Sequence, residues 1–352
     1  ARSPQLELVA LVNRDAGPDL ARELGGERVR VVVLPVSARS RAQWALGELA
    51  LVARAAQRAR VEVLHSMANF APAYGRVPRV VTIHDLQYRA VPDQLSLPVR
   101  ALTGALVSLA ARGAQRIVAV SAAGAQEIVA GLGVERARID VVPNGVRPPG
   151  PASSSTALAA ELRDRNGLTG HPIALSVATN LPHKNLPSLI DALTAMSLEQ
   201  RPLLVLAGHG TDDGALLTRA RAVGVADHVR LLGSCTTDEL DALYEIADCL
   251  VLPTLHEGFG LPVLEAMARS LPVACSDIAA LREVAGDAAL YFDPRRPEQI
   301  AARVGELLRD RAAAERLAEL GRAQSARFSW AAAAEGTLAS YARALARPVD
   351  GP

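Results

Sequence analysis

The chain lacks the features that mark a membrane-spanning, disulfide-stapled or metal-binding protein. Its 352 residues contain no run of 18 apolar residues and no secretory signal, so we predict a soluble, cytoplasmic protein. The three cysteines, Cys235, Cys249 and Cys275, are scattered and odd in number, which favours free thiols over disulfides. No Asp-x-Asp and no cluster of metal-ligand residues occurs, so we expect neither a metal nor another cofactor.

The charge balance is close to neutral, and one kind of cation is nearly absent. The sequence has 38 Lys and Arg against 37 Asp and Glu, which gives no electrostatic case for nucleic acid as a partner. Half of the residues are hydrophobic, which excludes a disordered chain, and the length predicts two domains. Lys184 is the only lysine, so its position singles it out as a place where a compact ammonium is needed.

Strand and helix patterns alternate twice along the sequence. A segment rich in Pro, Gly and Ser, residues 147–155, separates the two series and predicts a linker. Strands alternating with helices indicate parallel sheets covered on both faces. We therefore predict an α/β fold of two doubly wound, Rossmann-like domains facing a cleft: an N-terminal domain at 1–150, a linker and helix at 151–171, and a second domain at 172–328.

The stretch from His256 to Glu265 reads His-Glu-Gly-Phe-Gly-Leu-Pro-Val-Leu-Glu and lies between an apolar run and a helical pattern. Pro262 suits the first turn of that helix. We predict that Gly258 and Gly260 leave the backbone bare for a ligand, and that the helix end attracts phosphate. Glu257 and Glu265, placed before the turn and in the first helical turn, are expected to hold two parts of one ligand.

Residues 257–268 resemble the Glu-x7-Glu signature of family 4 retaining glycosyltransferases, which have the GT-B fold. The resemblance extends over nearly the whole chain, with Ser270 standing where the family usually has Gly. It implies that a last helix at 329–347 crosses back to the N-terminal domain. It also leads us to expect that the family's first strand–loop–helix unit is absent ahead of the strand predicted at residues 5–13.

The resemblance assigns roles to further residues. Lys184 matches a family lysine that contacts the donor diphosphate, although Ala178, Thr179 and His183 depart from that motif. Glu265 is expected to hold the ribose hydroxyls, and Glu257 a hydroxyl of the donor sugar. His84 follows a strand, where the family's histidine lies near that sugar. The donor-binding set is completed by the following positions: Gly258, Phe259, Gly260, Leu261, Thr179 and Gly208.

The function implied is a retaining, metal-independent transfer of a hexosyl unit from a nucleotide-diphosphate sugar. The donor predicted first is GDP-mannose, with UDP-sugars next, and the acceptor is a glycan or a lipid-linked sugar. Peripheral contact with the inner membrane face, through arginine-rich residues 100–116, is an alternative to a solvated helix face. Two other functions stay open: a catalytically silent nucleotide-sugar-binding scaffold, and another GT-B enzyme such as a nucleotide-sugar epimerase.

Overall fold

A computed structural model describes residues 6–24, 28–37, 47–149 and 152–346. Every strand pairing within these ranges is parallel, apart from one isolated antiparallel bridge between Ala68 and Phe70. Helices connect the strands, and this confirms the predicted α/β class. No helix in these ranges is long and apolar enough to cross a membrane.

The N-terminal half contains two separate sheets. Strands β1 (Leu8–Asn13) and β2 (Val29–Leu34) pair only with each other. A four-stranded sheet follows in the order β3-β4-β5-β6, with the bounds Leu64–Ser66, Arg79–Ile83, Arg116–Ala119 and Ile139–Val141. The α-helices described in the N-terminal half are α1 (Gly17–Leu24), α2 (Val52–Arg58), α3 (Gln87–Ala90), α4 (Leu97–Gly113) and α5 (Ala122–Leu132).

Two predicted elements of this half differ in the structure. The helix predicted over 41–58 is a π-helical turn at Gly47–Leu51 that leads into α2, and residues 41–46 lie outside the described residues. The short strand predicted at 61–65 is displaced to Leu64–Ser66, because only these residues reach the edge of β4.

The C-terminal half is one six-stranded sheet in the order β12-β11-β10-β7-β8-β9. These strands, β7 to β12 in chain order, are Ile173–Val177, Leu203–Ala207, Val229–Gly233, Cys249–Leu252, Val273–Ser276 and Ala289–Phe292. The order reverses between β7 and β10, which is the topological switch point where open parallel sheets bind ligands.

Helices cover both faces of this sheet. In chain order, α6 to α13 are Ala152–Asn166, Leu186–Thr194, Gly214–Ala222, Thr237–Ile246, Leu261–Ala268, Ala279–Ala285, Pro297–Arg309 and Arg311–Ser325. The linker predicted over 147–155 is shorter than expected, because α6 already begins at Ala152.

A final helix, α14 (Trp330–Leu345), returns to the N-terminal half. Its Ala344 is fully buried in one cluster with Val80, Val118 and Val142 of the four-stranded sheet. Ser340 donates a 2.7 Å hydrogen bond to Asp140 of β6, and Asp140 also pairs with Arg116. Helix α14 is therefore fixed to the opposite half by both apolar and polar contacts.

Candidate functional site

Two loops meet at the switch point of the six-stranded sheet. One follows β7 and carries Lys184, and the other follows β10 and carries Glu257. The Leu255 N–H donates to the His183 carbonyl at 2.7 Å, and the Asn185 side-chain amide donates to the Pro253 carbonyl at 3.1 Å. These bonds join the loops directly, so the two charged residues share one rigidly connected region.

A buried threonine adds to this connection. The Thr254 hydroxyl is fully buried and lies 3.1 Å from the His183 carbonyl and 2.8 Å from the His256 carbonyl. Thr254 and Asn185 were not among the predicted site residues. Nothing in the sequence distinguishes Thr254 from an ordinary loop residue, and Asn185 is marked only as the last residue of the segment that resembles the family's lysine motif. Their importance depends on which two loops the fold brings together.

Lys184 and Glu257 form an ion pair. The Lys184 ammonium donates to Glu257 Oε1 at 2.6 Å, and the two side chains are only 19% and 11% exposed. The sequence predicted separate partners for them, a diphosphate and a sugar hydroxyl. An ammonium has three hydrogens and a carboxylate about four acceptor positions, so each group can still bind a ligand while paired.

The glycines of the 256–265 stretch are required by packing within the protein. A Cβ on Gly258 would lie 1.9 Å from the His84 carbonyl oxygen, and one on Gly260 would lie 2.4 Å from Leu281. Gly260 also has a φ of +109°, which favours glycine. The approach of the N-terminal half and of α11 is therefore a second reason for these glycines, and donor binding by their backbone stays a prediction.

The next two residues of the loop lead into α10. Phe259 is buried, with its ring 5.8 Å from that of Phe328, so only its backbone is available to a ligand. Leu261 is the first residue of α10 and is 37% exposed. Pro262 has no N–H, and the Val263 and Leu264 N–H groups both donate to the Gly260 carbonyl, at 3.1 and 3.2 Å. The Leu261 N–H is therefore the group that this first turn can offer to an anion.

Glu265 lies one turn into α10. It was predicted in the first turn, but the helix begins at Leu261, so Glu265 is its fifth residue and lies in the second turn. One of its carboxylate oxygens, Oε2, accepts a 2.9 Å hydrogen bond from the Tyr244 hydroxyl. Tyr244 was not predicted as a site residue.

His84 reaches the same region from the N-terminal half. It follows β4, and its backbone N–H donates to Asn69 Oδ1 at 2.7 Å. Its ring Nε2 lies 2.8 Å from the Met67 carbonyl. Because a carbonyl only accepts, Nε2 carries a hydrogen and Nδ1 is the acceptor in the neutral form of the ring. The fold therefore brings His84 beside the Glu257 loop, as its predicted role requires.

Two further contacts join the halves at this point. The fully buried Ser121 hydroxyl donates to the Gly258 carbonyl at 2.8 Å and also accepts from the Gly124 N–H at the start of α5. The Glu283 carboxylate accepts from the Ala122 and Ala123 N–H groups at 2.8 and 3.0 Å. A carboxylate from the C-terminal half thus caps an N-terminal helix, where the helix dipole favours negative charge.

His183 provides a neutral contact across the halves. Its Nδ1 lies 2.8 Å from the side-chain amide nitrogen of Gln87 on α3. Burial, and then the nearby Lys184 charge, lower the pKa of His183 to about 4. His183 is therefore uncharged at neutral pH, and Lys184 is left to carry the positive charge of this segment.

The remaining predicted positions lie behind the loops. Gly208 has a φ of +135°, and a Cβ there would lie 2.3 Å from the Ala178 carbonyl. Its N–H donates to the Gly233 carbonyl and its own carbonyl accepts from Thr211, so both backbone groups have partners within the protein. Thr179 is partly exposed and is the second residue after β7. Donor binding by Gly208 and Thr179 stays a prediction.

No group of three or more His, Cys, Asp or Glu placed to hold a metal ion occurs in the part of the chain that the structure describes. The region at the switch point instead contains the Lys184–Glu257 ion pair, the N-terminal end of α10 and the Glu265 carboxylate. Such a site offers cationic and N–H groups to phosphate, and carboxylates to hydroxyls.

Comparison with known proteins identifies the family to which the chain belongs. The family model "Glycosyl transferases group 1" matches residues 159–324, and "Glycosyltransferase Family 4" matches residues 6–148. Between them the two models cover most of the chain. The chain belongs to glycosyltransferase family 4.

The curated relatives carry several names. O-antigen chain mannosyltransferase B of Escherichia coli is 35% identical over 171 residues, covering 48% of this chain and 45% of that protein. A D-inositol 3-phosphate glycosyltransferase of Nocardia farcinica is 34% identical over 249 residues, covering 66% of this chain and 53% of that protein. The chain thus spans about half the length of these curated relatives.

Solved structures confirm the GT-B architecture. Anabaena HepE in complex with UDP and glucose superposes with a TM-score of 0.74 at 19% identity, covering 96% of this chain and all of that one. At this identity the likeness shows the fold. The predicted GT-B fold and family are therefore confirmed.

Proposed function

We propose that this glycosyltransferase moves a hexosyl unit from a nucleotide-diphosphate sugar to an acceptor hydroxyl, with retention of anomeric configuration. The observation that carries the proposal is the pairing of Lys184 and Glu257 beside the start of α10, at the switch point of the C-terminal sheet. This arrangement supplies positive charge for a diphosphate and an acceptor for sugar hydroxyls within one loop region.

Each charged group has a distinct part in the proposed reaction. Lys184 and the Leu261 N–H at the start of α10 stabilise the charge that develops on the leaving diphosphate, so the reaction needs no metal ion. Glu257 holds a hydroxyl of the donor sugar, Glu265 holds the ribose hydroxyls, and His84 lies near the sugar. The acceptor hydroxyl attacks from the face that the diphosphate leaves, and a phosphate oxygen takes its proton. Glu257 then orients the sugar and is not a nucleophile.

The donor proposed first is GDP-mannose. The mannosyltransferase names among the relatives support it, whereas the inositol-phosphate relative and the UDP bound to HepE support UDP-sugars as the next candidates. We propose a glycan or a lipid-linked sugar as the acceptor, reached from the cytoplasmic side with the protein peripheral to the membrane.

A panel of GDP, UDP, ADP and their sugars tests the site by thermal shift. A ligand at 100 times its dissociation constant adds about 2.7 kcal/mol of stability. We expect one nucleotide to stabilise the parent protein and to lose that effect in Lys184→Ala and Glu265→Ala. If no nucleotide stabilises the parent, the proposed donor site is refuted.

A silent scaffold is the second candidate function, favoured by one observation. Lys184 is already neutralised by Glu257 at 2.6 Å, so the region carries less net positive charge than an unpaired lysine would give it. A donor hydrolysis assay separates the two functions, because a transferase releases sugar to water and a scaffold does not. Turnover of the donor sugar without any acceptor, giving an epimer, would instead support an epimerase.

A further inference from the structure

The phenol of Tyr244 is a permanent hydrogen-bond donor to Glu265. Tyr244 lies on α9, its side chain is almost fully buried, and its hydroxyl is 2.9 Å from Glu265 Oε2. Burial, and then the charge of Glu265, raise the pKa of Tyr244 well above its ordinary value. The phenol therefore keeps its hydrogen, and the carboxylate can only accept from it.

A second side chain fixes the phenol and the helix backbone together. The Arg269 guanidinium lies 5.1 Å from the centre of the Tyr244 ring, within the range of a cation–π contact. Arg269 Nη1 donates to the Glu265 carbonyl at 3.0 Å, and the guanidinium pairs with Asp241. Asp241 also accepts from Arg147, at 2.8 Å, in the segment between the halves. The Tyr244 ring is thus held between α9 and α10.

The other carboxylate oxygen of Glu265, Oε1, is available to a ligand. Within the described ranges, the structure gives Oε1 no hydrogen-bond partner, and the Glu265 side chain is partly exposed. Helix geometry places Glu265 about 6 Å along the axis from Leu261, where the Leu261 N–H and the positive end of the helix dipole favour an anion. A carboxylate repels phosphate and accepts from hydroxyls, so a ligand that spans both positions has phosphates at one end and hydroxyls about one turn away.

We propose that Tyr244 is a positioning residue for nucleotide recognition: it holds Glu265 Oε2 so that Oε1 accepts from the ribose hydroxyls of a nucleoside diphosphate. The inference rests on the proposed function, since it concerns the nucleotide part of that donor. Tyr244 itself does not touch the ligand. Its effect is to keep the Glu265 side chain in one rotamer. Without the phenol, this side chain would have to be ordered each time a nucleotide binds.

The test compares GDP with 2′,3′-dideoxy-GDP by calorimetry in the parent and in Tyr244→Phe, using the uridine pair if the thermal-shift panel selects UDP. We expect Tyr244→Phe to weaken GDP about tenfold, which corresponds to about 1.4 kcal/mol, and to leave the dideoxy nucleotide within about twofold. The donor KM should rise to a similar extent with little change in kcat. Tyr291→Phe is the matched control, because its hydroxyl donates to the Gly286 carbonyl at 2.6 Å in the same half.

The alternatives give different results. A purely structural role for Tyr244 would lower stability and weaken both nucleotides equally, and that outcome overturns the inference. Tyr244→Phe added to Glu265→Ala should cause no further loss of GDP affinity, and a further loss also overturns it. If Tyr244→Phe does not fold, Glu265→Asp, which withdraws the carboxylate from the phenol, must lose the preference for GDP over dideoxy-GDP. A parent that binds no nucleotide refutes the proposed function and this inference with it.

Discussion

The two halves of the molecule contribute different kinds of groups to the region around the Glu257 loop. The C-terminal half supplies charge, in Lys184, Glu257 and Glu265, and fixes each of these side chains by hydrogen bonds. The N-terminal half supplies the His84 backbone carbonyl and the neutral Ser121 hydroxyl, both of which contact the loop of Gly258. Charge for the ligand is therefore built on one half, whereas the other half fixes the loop that carries it.

The apolar cores of the two halves differ in size and continuity. A single apolar cluster fills the C-terminal sheet and its helices. The N-terminal half has a smaller cluster around β4 and β5, and its first two strands form a separate sheet. The difference suggests that substitutions in the C-terminal half act on chemistry or on ligand affinity, whereas substitutions at the contact between the halves act on how the site is closed.

Glu257→Gln should have the largest effect. Because the proposed role of Glu257 is to stabilise the reacting sugar, we expect kcat to fall about 100-fold, while nucleotide affinity changes little. Steady-state kinetics and calorimetry with the selected nucleotide measure the two quantities. Glu298→Gln, the same substitution at an exposed position of α12, is the control. An equal loss of turnover and affinity would count against the role.

Gly258→Ala tests the contribution of the other half. The new Cβ would overlap the His84 carbonyl at 1.9 Å, so either the halves separate or the backbone shifts, at a cost of about 1–3 kcal/mol. We expect a larger radius of gyration by small-angle X-ray scattering and a loss of transfer activity. Gly214→Ala, where a Cβ meets nothing within 4 Å, should change neither quantity. An unchanged radius with full activity would show that this contact does not close the site.

The position of the site was predictable from the sequence because it follows from local patterns. His84 comes directly after an apolar run, and Lys184 and Glu257 lie in the loops that follow two other apolar runs. Parallel strands place such residues at one edge of a sheet. The glycine positions were also evident, but their cause was not, since Gly258 is required by a carbonyl more than 170 residues earlier in the chain.

The supporting residues were not predictable. Thr254 and Tyr244 are ordinary residues in sequence, and their roles depend on hydrogen bonds to residues on other elements. The linker at 147–155 was predicted too long because Ser and Pro indicate a loop on propensity alone, whereas α6 begins at Ala152. Glu265 was placed in the wrong turn for a similar reason: Pro262 allows a helix start on either side of it.

The N-terminal half should also account for a pH dependence of stability. Burial, and then His84, lower the pKa of His65 to about 4, and its ring bonds the Thr82 and Tyr341 hydroxyls at 2.8 Å. The unfolded chain binds this proton near pH 6.5, so stability is present above that pH and is lost as the pH falls towards 4. We expect His65 to contribute about 2 kcal/mol of the loss between pH 7 and 5.

Urea unfolding from pH 7.5 to 5 measures the contribution of His65 to the free energy of unfolding. His65→Gln keeps a polar side chain but does not titrate, so its stability should fall less steeply with pH than that of the parent. His209→Gln, at an exposed loop position of the other half, is the control and should keep the parental slope. Equal slopes for the parent and His65→Gln would assign the acid sensitivity to other groups.

Ser270→Gly should have the smallest effect, and it should be stabilising. The Ser270 N–H donates to the Met267 carbonyl and the Leu271 N–H to the Ala266 carbonyl, both at 3.0 Å, which is the Schellman pattern at the end of α10. Ser270 occupies its left-handed position with a φ of +56°, a conformation that glycine adopts at no steric cost. Relief of this strain, offset by the greater freedom of glycine in the unfolded chain, should add about 0.5–1 kcal/mol. Ser270→Ala keeps the Cβ and should give no gain of stability in urea unfolding.

Because α10 also carries Glu265, the nucleotide affinity of Ser270→Gly is a second measurement. An unchanged affinity would show that Ser270 sets only the stability of the C-terminal end of α10. A changed affinity would mean that the strain is transmitted to the ligand side of the helix.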